Sequence, residues 1–482
     1  MYLHYNMHHK KIMGGRKFMK HDDVKIVINN EEYVGKNVVV CGWIKTIRKS
    51  KRMCFIELND GTSLKNLQLV VDNSNEQLFS FCLGLTIGSS LAVKGKVVKS
   101  LNSNQNVELN VNDIKLLGNC SLDYPIQKKN QSMDYLREMP HLRTRTNTFN
   151  AIFRVRSVLS KSIHDYFQKN NYTYVNTPII TGSDCEGAGE MFRVTTLNID
   201  KISKDKYNPN IDSDDFFGKK VGLTVSGQLE AEALACSLGK VYTFGPTFRA
   251  ENSNTKRHAA EFWQIEPEVA FADLDDIIDI ATDLIKYVLK RMLVECSDEV
   301  KFFTKYYDKS LSERLINVVE SDFAKLEYTD AIRILENANV DFEFPVYWGC
   351  DLKSEHERYI TEVIYKKPVF ITNFPKELKS FYMKANPDGR TVASTDLLVP
   401  GIGEIIGASQ REDNFELLNK RIEELNMNKE DYLWYLDLRK YGSVPHSGFG
   451  IGFERLIMYA TGIDNIRDTI PFPRTKCKKL KL

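Results

Sequence analysis

The chain has 482 residues, 42% of them hydrophobic and 27% charged, with a formal net charge of +2. That is the make-up of a globular protein of about two to four domains, and so small a net charge excludes a globally basic nucleic-acid binder, so any RNA contact must be local. No apolar run approaches the roughly 18 residues of a membrane span, and the nine cysteines form no C-x-x-C pair, which argues against structural zinc and for a reducing compartment.

The opening MYLHYNMHHKKIMGGRKFMK is basic and has no apolar core segment, so it is not a secretory signal. Residues 1–22 read as a disordered extension or as translation from an upstream start; the lack of acids leaves an organellar transit segment open. From 23 to 119 the pattern changes to short β-rich runs: KNVVVCGWIKTI, MCFIELND, LKNLQLVVD, SSLAVKGKVVKS and VELNVNDIKLL, separated by Gly, Asn, Asp and Ser. Strands at this spacing predict a small barrel of OB type. Lys45, Arg48, Lys49, Lys51 and Arg52 lie between the first two runs, and a basic loop beside exposed aromatics suits single-stranded nucleic acid. A barrel with one solvated loop explains them equally. Residues 120–148 lack periodicity and read as a hinge, with Arg137, Arg143 and Arg145 serving either RNA contact or solubility.

The remainder, 149–482, alternates helices and strands. Ile152, Val155, Leu159, Ile163 and Tyr166 recur at helical spacing, and the strand-like YTYVNTPIIT with Pro178 follows. TGSDCEGAGEMFRV is a Gly-rich polar loop, but no G-K-[ST] follows, so it is not a Walker A loop. LTVSGQLEAEALACSLGKVYTFG reads as strand, turn, helix, strand. It sets Ser226, Gln228 and Glu232 at the turn, where polar residues commonly cap. VYTFGPTF and EFWQIEPEVA then flank a polar, basic stretch, predicting an antiparallel hairpin with a long loop. The loop gathers Arg249, Glu251, Lys256, Arg257 and His258. Planar guanidinium forks suit a polyphosphate; a solvated charged hairpin is the plainer reading.

Asp273 to Cys296 has the pattern of an amphipathic helix, and Lys301 to Phe344 reads as mixed helix and loop without chemistry. Ser354 and Glu357 fit a capping box with no further role. Strands are expected at Lys367–Phe374 and Lys379–Lys384. In TDLLVPGIGEIIGASQRED, Asp396 and Glu404 sit in an apolar, β-branched context. Buried carboxylates are costly unless paired or bound to metal, and two in adjoining strands suggest Mg²⁺. Glu416 to Leu438 is helix-prone. In GFGIGFERL, small residues allow a strand to lie against a ligand before Arg455 emerges from a helix starting near Phe453. No βαβ unit surrounds these glycines, so they are not a dinucleotide fingerprint.

FRAEN, RH and EFWQIE together resemble motif 2 of the class II aminoacyl-tRNA synthetases, in the aspartyl/asparaginyl branch. GFGIGFERL resembles motif 3, and the helix, strand and Pro178 resemble motif 1. The resemblance runs from about Val24 to Thr475, and its wording is closer to bacterial-type asparaginyl enzymes than to aspartyl ones. It implies an α+β protein: an N-terminal OB-fold β-barrel that binds the anticodon, and a class II catalytic domain with an antiparallel β-sheet flanked by helices and an insertion around 297–345. It also implies a cytoplasmic homodimer that uses ATP and Mg²⁺, with L-asparagine and tRNA(Asn) as partners.

By the same resemblance Arg249 holds the α-phosphate and the substrate carboxylate, and Arg257 and His258 reach the outer phosphates. Phe262 stacks on adenine with Arg455 on its other face, Glu251 and Gly452 complete the ATP site, and Asp396 and Glu404 hold the metal. Gly407 stands where aspartyl relatives carry a Ser, and the Asp–Glu spacing is one residue longer, so the metal shell follows the resemblance less closely. Glu186 matches the carboxylate that holds the substrate ammonium. Ser226, Gln228, Glu232 and Arg411 fall in the amino-acid site, with Glu232 and Arg411 expected to read the amide. Phe55, Gln68 and Arg48 match anticodon contacts. The readings that remain are an aspartyl-tRNA synthetase, disfavoured by Glu232 where a Lys is expected; a non-catalytic synthetase-like RNA-binding protein, disfavoured by intact Arg249, Glu404 and Arg455; and a synthetase-like amide-forming enzyme, disfavoured by the OB domain.

Overall fold

The computed structural model describes residues 20–100, 105–127, 131–185, 191–198, 211–252 and 255–476. Among these, alternating apolar residues in the first runs build five strands: β1 (Asn37–Lys49), β2 (Met53–Asn59), β3 (Leu67–Asp72), β4 (Ser90–Lys99) and β5 (Val107–Gly118). They close as a barrel in the order β1-β2-β3-β5-β4. Every second residue points inward, so Val38, Val40, Ile56, Leu58, Leu69 and Val93 form its core. A short helix, Val24–Asn29, contributes Val24 and Val27 to that core. Its first turn is fixed by Asp60, whose Oδ2 accepts the Val24 amide at 2.7 Å. The sequence pattern had not marked this helix, because six residues are too few to show a period.

The chain divides into two compact units, one of residues up to Ser132 with Arg145–Asn150, the other of Met133–Thr144 with everything from Ala151. The stretch 120–148 is therefore not a single hinge. Arg137 and Arg143 tie its middle to the second unit through buried Asp468, and Arg143 also donates to the carbonyls of Arg467 and Ile470. Arg145 belongs with the first unit, where it lies over the Tyr124 ring and its carbonyl accepts from Lys45.

The second unit carries an eight-stranded sheet and a small three-stranded one. In chain order its strands are β6 (Thr173–Tyr174), β7 (Ile180–Thr181), β8 (Arg193–Val194), β9 (Val221–Leu223), β10 (Lys240–Phe248), β11 (Glu261–Ala270), β12 (Ala324–Glu327), β13 (Val369–Thr372), β14 (Ser394–Val399), β15 (Gly403–Gln410) and β16 (His446–Gly452). The large sheet runs β12-β13-β14-β15-β16-β11-β10-β6, antiparallel except at its two edges, while β7, β9 and β8 form the small sheet. Pro178 separates β6 from β7, so the single strand expected over YTYVNTPIIT is two. The helix Leu274–Glu295 packs Ile277, Ala281, Leu284, Val288 and Met292 into the interior, matching its sequence period.

Four expectations are corrected. The segment around 297–345 is not merely mixed helix and loop, since β12 extends the main sheet in parallel with β13. Lys379–Lys384 is not a strand: it turns at Ser380–Met383 and makes only an isolated bridge, Met383 to Arg411. Glu416–Leu438 is broken into the helices Phe415–Glu424 and Leu433–Lys440, because Asn426 takes φ +53° between them. Ser354 is the first residue of its helix rather than the cap, and the Lys353 amide donates to His356 Nδ1.

The Leu274–Glu295 helix starts at a reciprocal cap. Asp273 Oδ1 accepts the amides of Asp275 and Asp276 at 2.9 and 3.0 Å, and the Asp273 amide donates to Asp276 Oδ2. Asp273→Ala leaves these donors without the carboxylate. Urea unfolding should show a loss of about 1 kcal/mol with an unchanged m-value.

Candidate active site

β11 organises the cavity. Phe262, Gln264, Glu266 and Glu268 are alternate residues of one strand, so they share a face, and all four line a cavity of about 370 Å³. The rest of its wall comes from the turn before the Gln228–Leu238 helix (Ser226, Gln228), from the β10–β11 loop (Arg249, Glu251, Arg257, His258), from β14 and β15 (Asp396, Glu404, Gly407, then Arg411), and from β16 and the following helix (Gly450, Gly452, Arg455). Residues separated by up to some two hundred positions thus meet because antiparallel pairing sets β11 beside β10 on one side and β16 on the other.

At one end the groups are polar and partly exposed. Arg249 lies 5.4 Å from the Phe262 ring centre. Arg455 Nη1 donates to the Glu404 carbonyl at 3.1 Å and is 3.5 Å from Glu404 Oε2. Arg257 Nη1 donates to Ser354 Oγ at 3.2 Å, and His258 Nε2 stands 3.8 Å from Glu251. The hairpin loop is held from outside as well, since Ala260 donates to the Arg474 carbonyl and Ile466 to that of Lys256.

A β-bulge positions the carboxylates. Asp396 pairs with Gly407 and Leu397 with Ile406, but Leu398 pairs with Glu404, leaving Ile405 as an extra residue. Residues three apart on a regular strand face opposite ways, and the bulge brings Glu404 round to the face of Gly407. A Cβ on Gly407 would lie 3.5 Å from Glu404 Oε1 and 3.7 Å from Asp396 Oδ1, so a glycine there leaves open the space that both carboxylates border. An all-oxygen pair of this kind fits a hard divalent cation that completes its shell with substrate oxygens. Among the described residues no group of three or more His, Cys, Asp or Glu forms a self-sufficient metal site. Burial pushes Asp396 up to about 6 against the pull of Lys379, and burial with neighbouring Glu404 pushes Glu357 up to about 7.

At the other end the groups are buried and closely paired. Glu268 accepts from Arg411 Nε at 3.1 Å and from Nη2 at 2.5 Å, and Arg411 Nη1 donates to Ser409 Oγ at 2.6 Å. Three of the five guanidinium N–H groups are so engaged, leaving two for a ligand. A Cβ at Gly448 would fall 2.2 Å from Glu268 Oε1, so only glycine admits this pair beside β16. Glu266 holds the turn: Ser226 Oγ and the Gly227 amide donate to it, while Ser226 Oγ accepts the Gln228 amide at 3.1 Å. Glu454, on the helix of Arg455, accepts the Trp263 amide at 2.9 Å and pairs with Arg156 at 2.9 Å, joining all three motif regions.

Glu232, expected among the amino-acid contacts, stands one layer behind the wall. It is fully buried and does not line the cavity. Its carboxylate accepts from Arg439 (2.8 Å), Tyr435 Oη (2.7 Å) and Gln228 Nε2 (3.0 Å), lies 3.0 Å from His446 Nε2, and is 3.9 Å from Arg411. Glu186 lies outside the described residues. Arg48, Gln68 and Phe55 meet on the barrel: Arg48 Nη2 donates to Gln68 Oε1 at 3.3 Å and lies 5.6 Å from the ring of half-buried Phe55. A second cavity, of about 530 Å³, is lined by Arg48 and Gln68 with Glu57, Asn66 and Gln105.

Residues 132–476 match the family model for tRNA synthetases class II (D, K and N), and 38–117 match that for the OB-fold nucleic acid binding domain. An asparagine–tRNA ligase of Clostridium kluyveri is 55% identical over 92% of this chain and 96% of its own, and one of Bacillus thuringiensis 53% over 93% and 96%. The chain belongs to the class II asparaginyl-tRNA synthetases. The asparaginyl-tRNA synthetase of Pyrococcus horikoshii, solved with asparaginyl-adenylate, superposes with a TM-score of 0.82 at 34% identity, over 95% of this synthetase and 99% of that chain.

Sequence reasoning missed Glu266, Glu268, Lys379 and Glu357 in this synthetase. The first two were within reach, because polar residues at every second position of an otherwise apolar strand mark a face that is not core. Glu357 lies within the SEHE segment read as a mere cap, yet it is the group against which the backbone of Gly403 and Glu404 rests: a Cβ on Gly403 would lie 2.1 Å from Glu357 Oε2.

Burial opposes the charge of Glu232, but Arg439, His446 and Arg411 outweigh it and hold the carboxyl below the usual range. Its contribution is therefore present above the unfolded glutamate pKa of about 4.3 and lost as pH falls below it. Glu232→Gln should cost about 3–5 kcal/mol at pH 7, since Arg439 is left without its carboxylate. In denaturant melts the gap between variant and wild type should narrow below about pH 4.

Proposed function

We propose that this synthetase activates L-asparagine with ATP to asparaginyl-adenylate, releasing pyrophosphate, and transfers the asparaginyl group to the 3′ end of tRNA(Asn). The observation that carries this reading is the division of one cavity: cationic, partly exposed groups at one end and a buried, charge-balanced pair at the other. In the first step a substrate carboxylate oxygen bonds to the α-phosphorus as the bond to pyrophosphate breaks. In the second, the tRNA hydroxyl takes the acyl group and AMP leaves. Such chemistry needs alignment and charge neutralisation more than a side-chain base.

In this reading Arg249 neutralises charge on the α-phosphate and the attacking carboxylate. Arg257 and His258 steady the outer phosphates, while Phe262 and Arg455 flank adenine by stacking and cation–π attraction. Glu251 and Gly452 complete the nucleotide site. Asp396 and Glu404 would hold Mg²⁺, which when bound shields the phosphates and withdraws charge toward the leaving group. Glu186 holds the substrate ammonium.

The amide of asparagine is read by hydrogen-bond polarity, since aspartate is nearly isosteric. Arg411 donates to the side-chain oxygen. Gln228 gives its Nε2 to Glu232, so its carbonyl oxygen is the end left to accept from the ligand; Glu232 acts by fixing that orientation. With Glu268 and Glu232 already beside Arg411, aspartate would bring a third carboxylate to one guanidinium, which disfavours it.

On the barrel, Phe55 stacks on an anticodon base while Gln68 and Arg48 hydrogen-bond. A homodimer through the motif 1 region is supported by the exposure of Tyr174, Ile179 and Ile180, large residues left at the surface of a single chain. The eight cysteines among the described residues form no disulfide, which fits a cytoplasmic or other reducing setting, and no described helix is long and apolar enough to cross a membrane.

Amino-acid-dependent ATP–pyrophosphate exchange, run across all twenty amino acids, tests the activity. Exchange with asparagine alone is expected; equal exchange with aspartate would overturn the account of Arg411 and Gln228. Phe55→Ala should raise KM for tRNA roughly 5- to 150-fold, the equivalent of about 1–3 kcal/mol of stacking, and leave pyrophosphate exchange unchanged. A slowed exchange would instead give Phe55 a structural role.

A further inference from the structure

Lys379 was not among the residues expected at the site, yet it lines the same cavity as Asp396 and Glu404. Its Nζ donates to both oxygens of Asp396, at 2.8 and 2.6 Å. It also lies 3.9 Å from the ring centre of Phe374, a cation–π contact. Both side chains of the pair are only 16% exposed. Asp396 is thus chelated symmetrically by a cation that is itself largely withdrawn from water.

A buried carboxylate beside a second one needs a positive partner. Glu404 has Arg455 within 3.5 Å, but Asp396 has Lys379. An ammonium on a flexible four-carbon stem is a compact, movable charge. A divalent cation bonded to Asp396 would stand within a few ångströms of that ammonium, and two cations on one carboxylate repel. Asp396 can therefore serve a metal fully only when Lys379 gives it up, and the phosphates of an arriving nucleotide supply the negative charge to which the ammonium can turn.

We propose that Lys379 is the resident counter-cation of this carboxylate site, holding Asp396 until divalent metal and nucleotide arrive together and then yielding it. The proposal rests on the reading of Asp396 and Glu404 as the metal carboxylates. Its consequence is that metal binds poorly alone and well with nucleotide, because Lys379 competes for Asp396 in the free enzyme. By linkage the two ligands then strengthen each other.

The test is Mn²⁺ binding to the full chain, read by the loss of the free-ion electron paramagnetic resonance signal, with and without a non-hydrolysable ATP analogue. Lys379→Met should bind Mn²⁺ alone at least about fivefold more tightly than wild type, the lower end of usual coupling, and should gain less from the analogue. Adding Asp396→Asn to Lys379→Met should abolish that tightening. Equal or weaker Mn²⁺ binding by Lys379→Met, or tightening that survives Asp396→Asn, overturns the proposal. Should Lys379→Met not fold, Lys379→Gln, which keeps a neutral donor on Asp396, must show the same tightening. Glu404→Gln separates the two ideas. If it binds Mn²⁺ as wild type does, the metal-site reading itself fails; if it binds more weakly while Lys379→Met shows no gain, only the counter-cation role falls.

Discussion

Opposite charges sealed beneath the buried end of the cavity hold the second unit in register. Glu232, Glu268, Arg411 and Arg439 are each at most 5% exposed, and His446 joins them. An unpaired charge in such a place costs several kcal/mol, whereas a fully bonded set is tolerated. The members come from the Gln228–Leu238 helix, from β11, from the residue that follows β15, from the Leu433–Lys440 helix and from the start of β16. A slip of one residue in any of those strands would turn its charged member to the other face of the sheet. The network therefore penalises wrong pairings more strongly than apolar residues would, and it does so directly behind the cavity wall.

Rigidity reaches the cavity wall along the β11 backbone and through the bonds made to it. Glu268 and Gln264 are on the same face of β11, four residues apart, so fixing one fixes the other. Glu454 receives the Trp263 amide and the Arg156 guanidinium, and Arg455 is its neighbour. Arg156 also lies 4.6 Å from the Phe453 ring centre and donates to the Thr469 carbonyl. Arg455 on the cavity wall is thus aimed by a residue that does not line the cavity, on a helix some three hundred positions earlier.

The barrel, the long hairpin, the amphipathic helix and the helix after β16 were legible in the sequence because each carries a clear period or a run of turn residues. The cavity residues of the recognised motifs were legible because their wording is specific. What escaped has physical causes. The helix Val24–Asn29 is shorter than a hydrophobic period can show. β12 is four residues in a helical neighbourhood, and only its parallel partner β13 makes it a strand. Lys379–Lys384 has strand-like composition, but tertiary contacts turn it. The position of Glu232 behind the wall could not be read, since a helix start fixes which residues are near a site and not which of two layers they occupy. Lys379 gave no signal because a lysine in a basic, aromatic segment looks like surface.

The two ends of the cavity solve different problems, and their chemistry differs accordingly. On the proposed assignment, telling asparagine from aspartate at the buried end rests on one donor or acceptor, so the groups there must not rotate or admit water. Arg411 is 3% exposed and triply bonded within the protein. A polyphosphate offers many equivalent oxygens, so the end proposed to hold it needs charge more than fixed direction. There the Arg455 and Glu404 side chains are 34% and 41% exposed, and Arg257 is held by a single hydroxyl. The exposed end can accommodate a large anion arriving from solvent, while the buried end keeps its geometry without a ligand. Because both ends hang from β11, whose alternate residues run from Phe262 to Glu268, the proposed assignment presents a nucleotide gripped at one end at a fixed distance from the amino acid at the other. That fixed separation is what an in-line displacement requires.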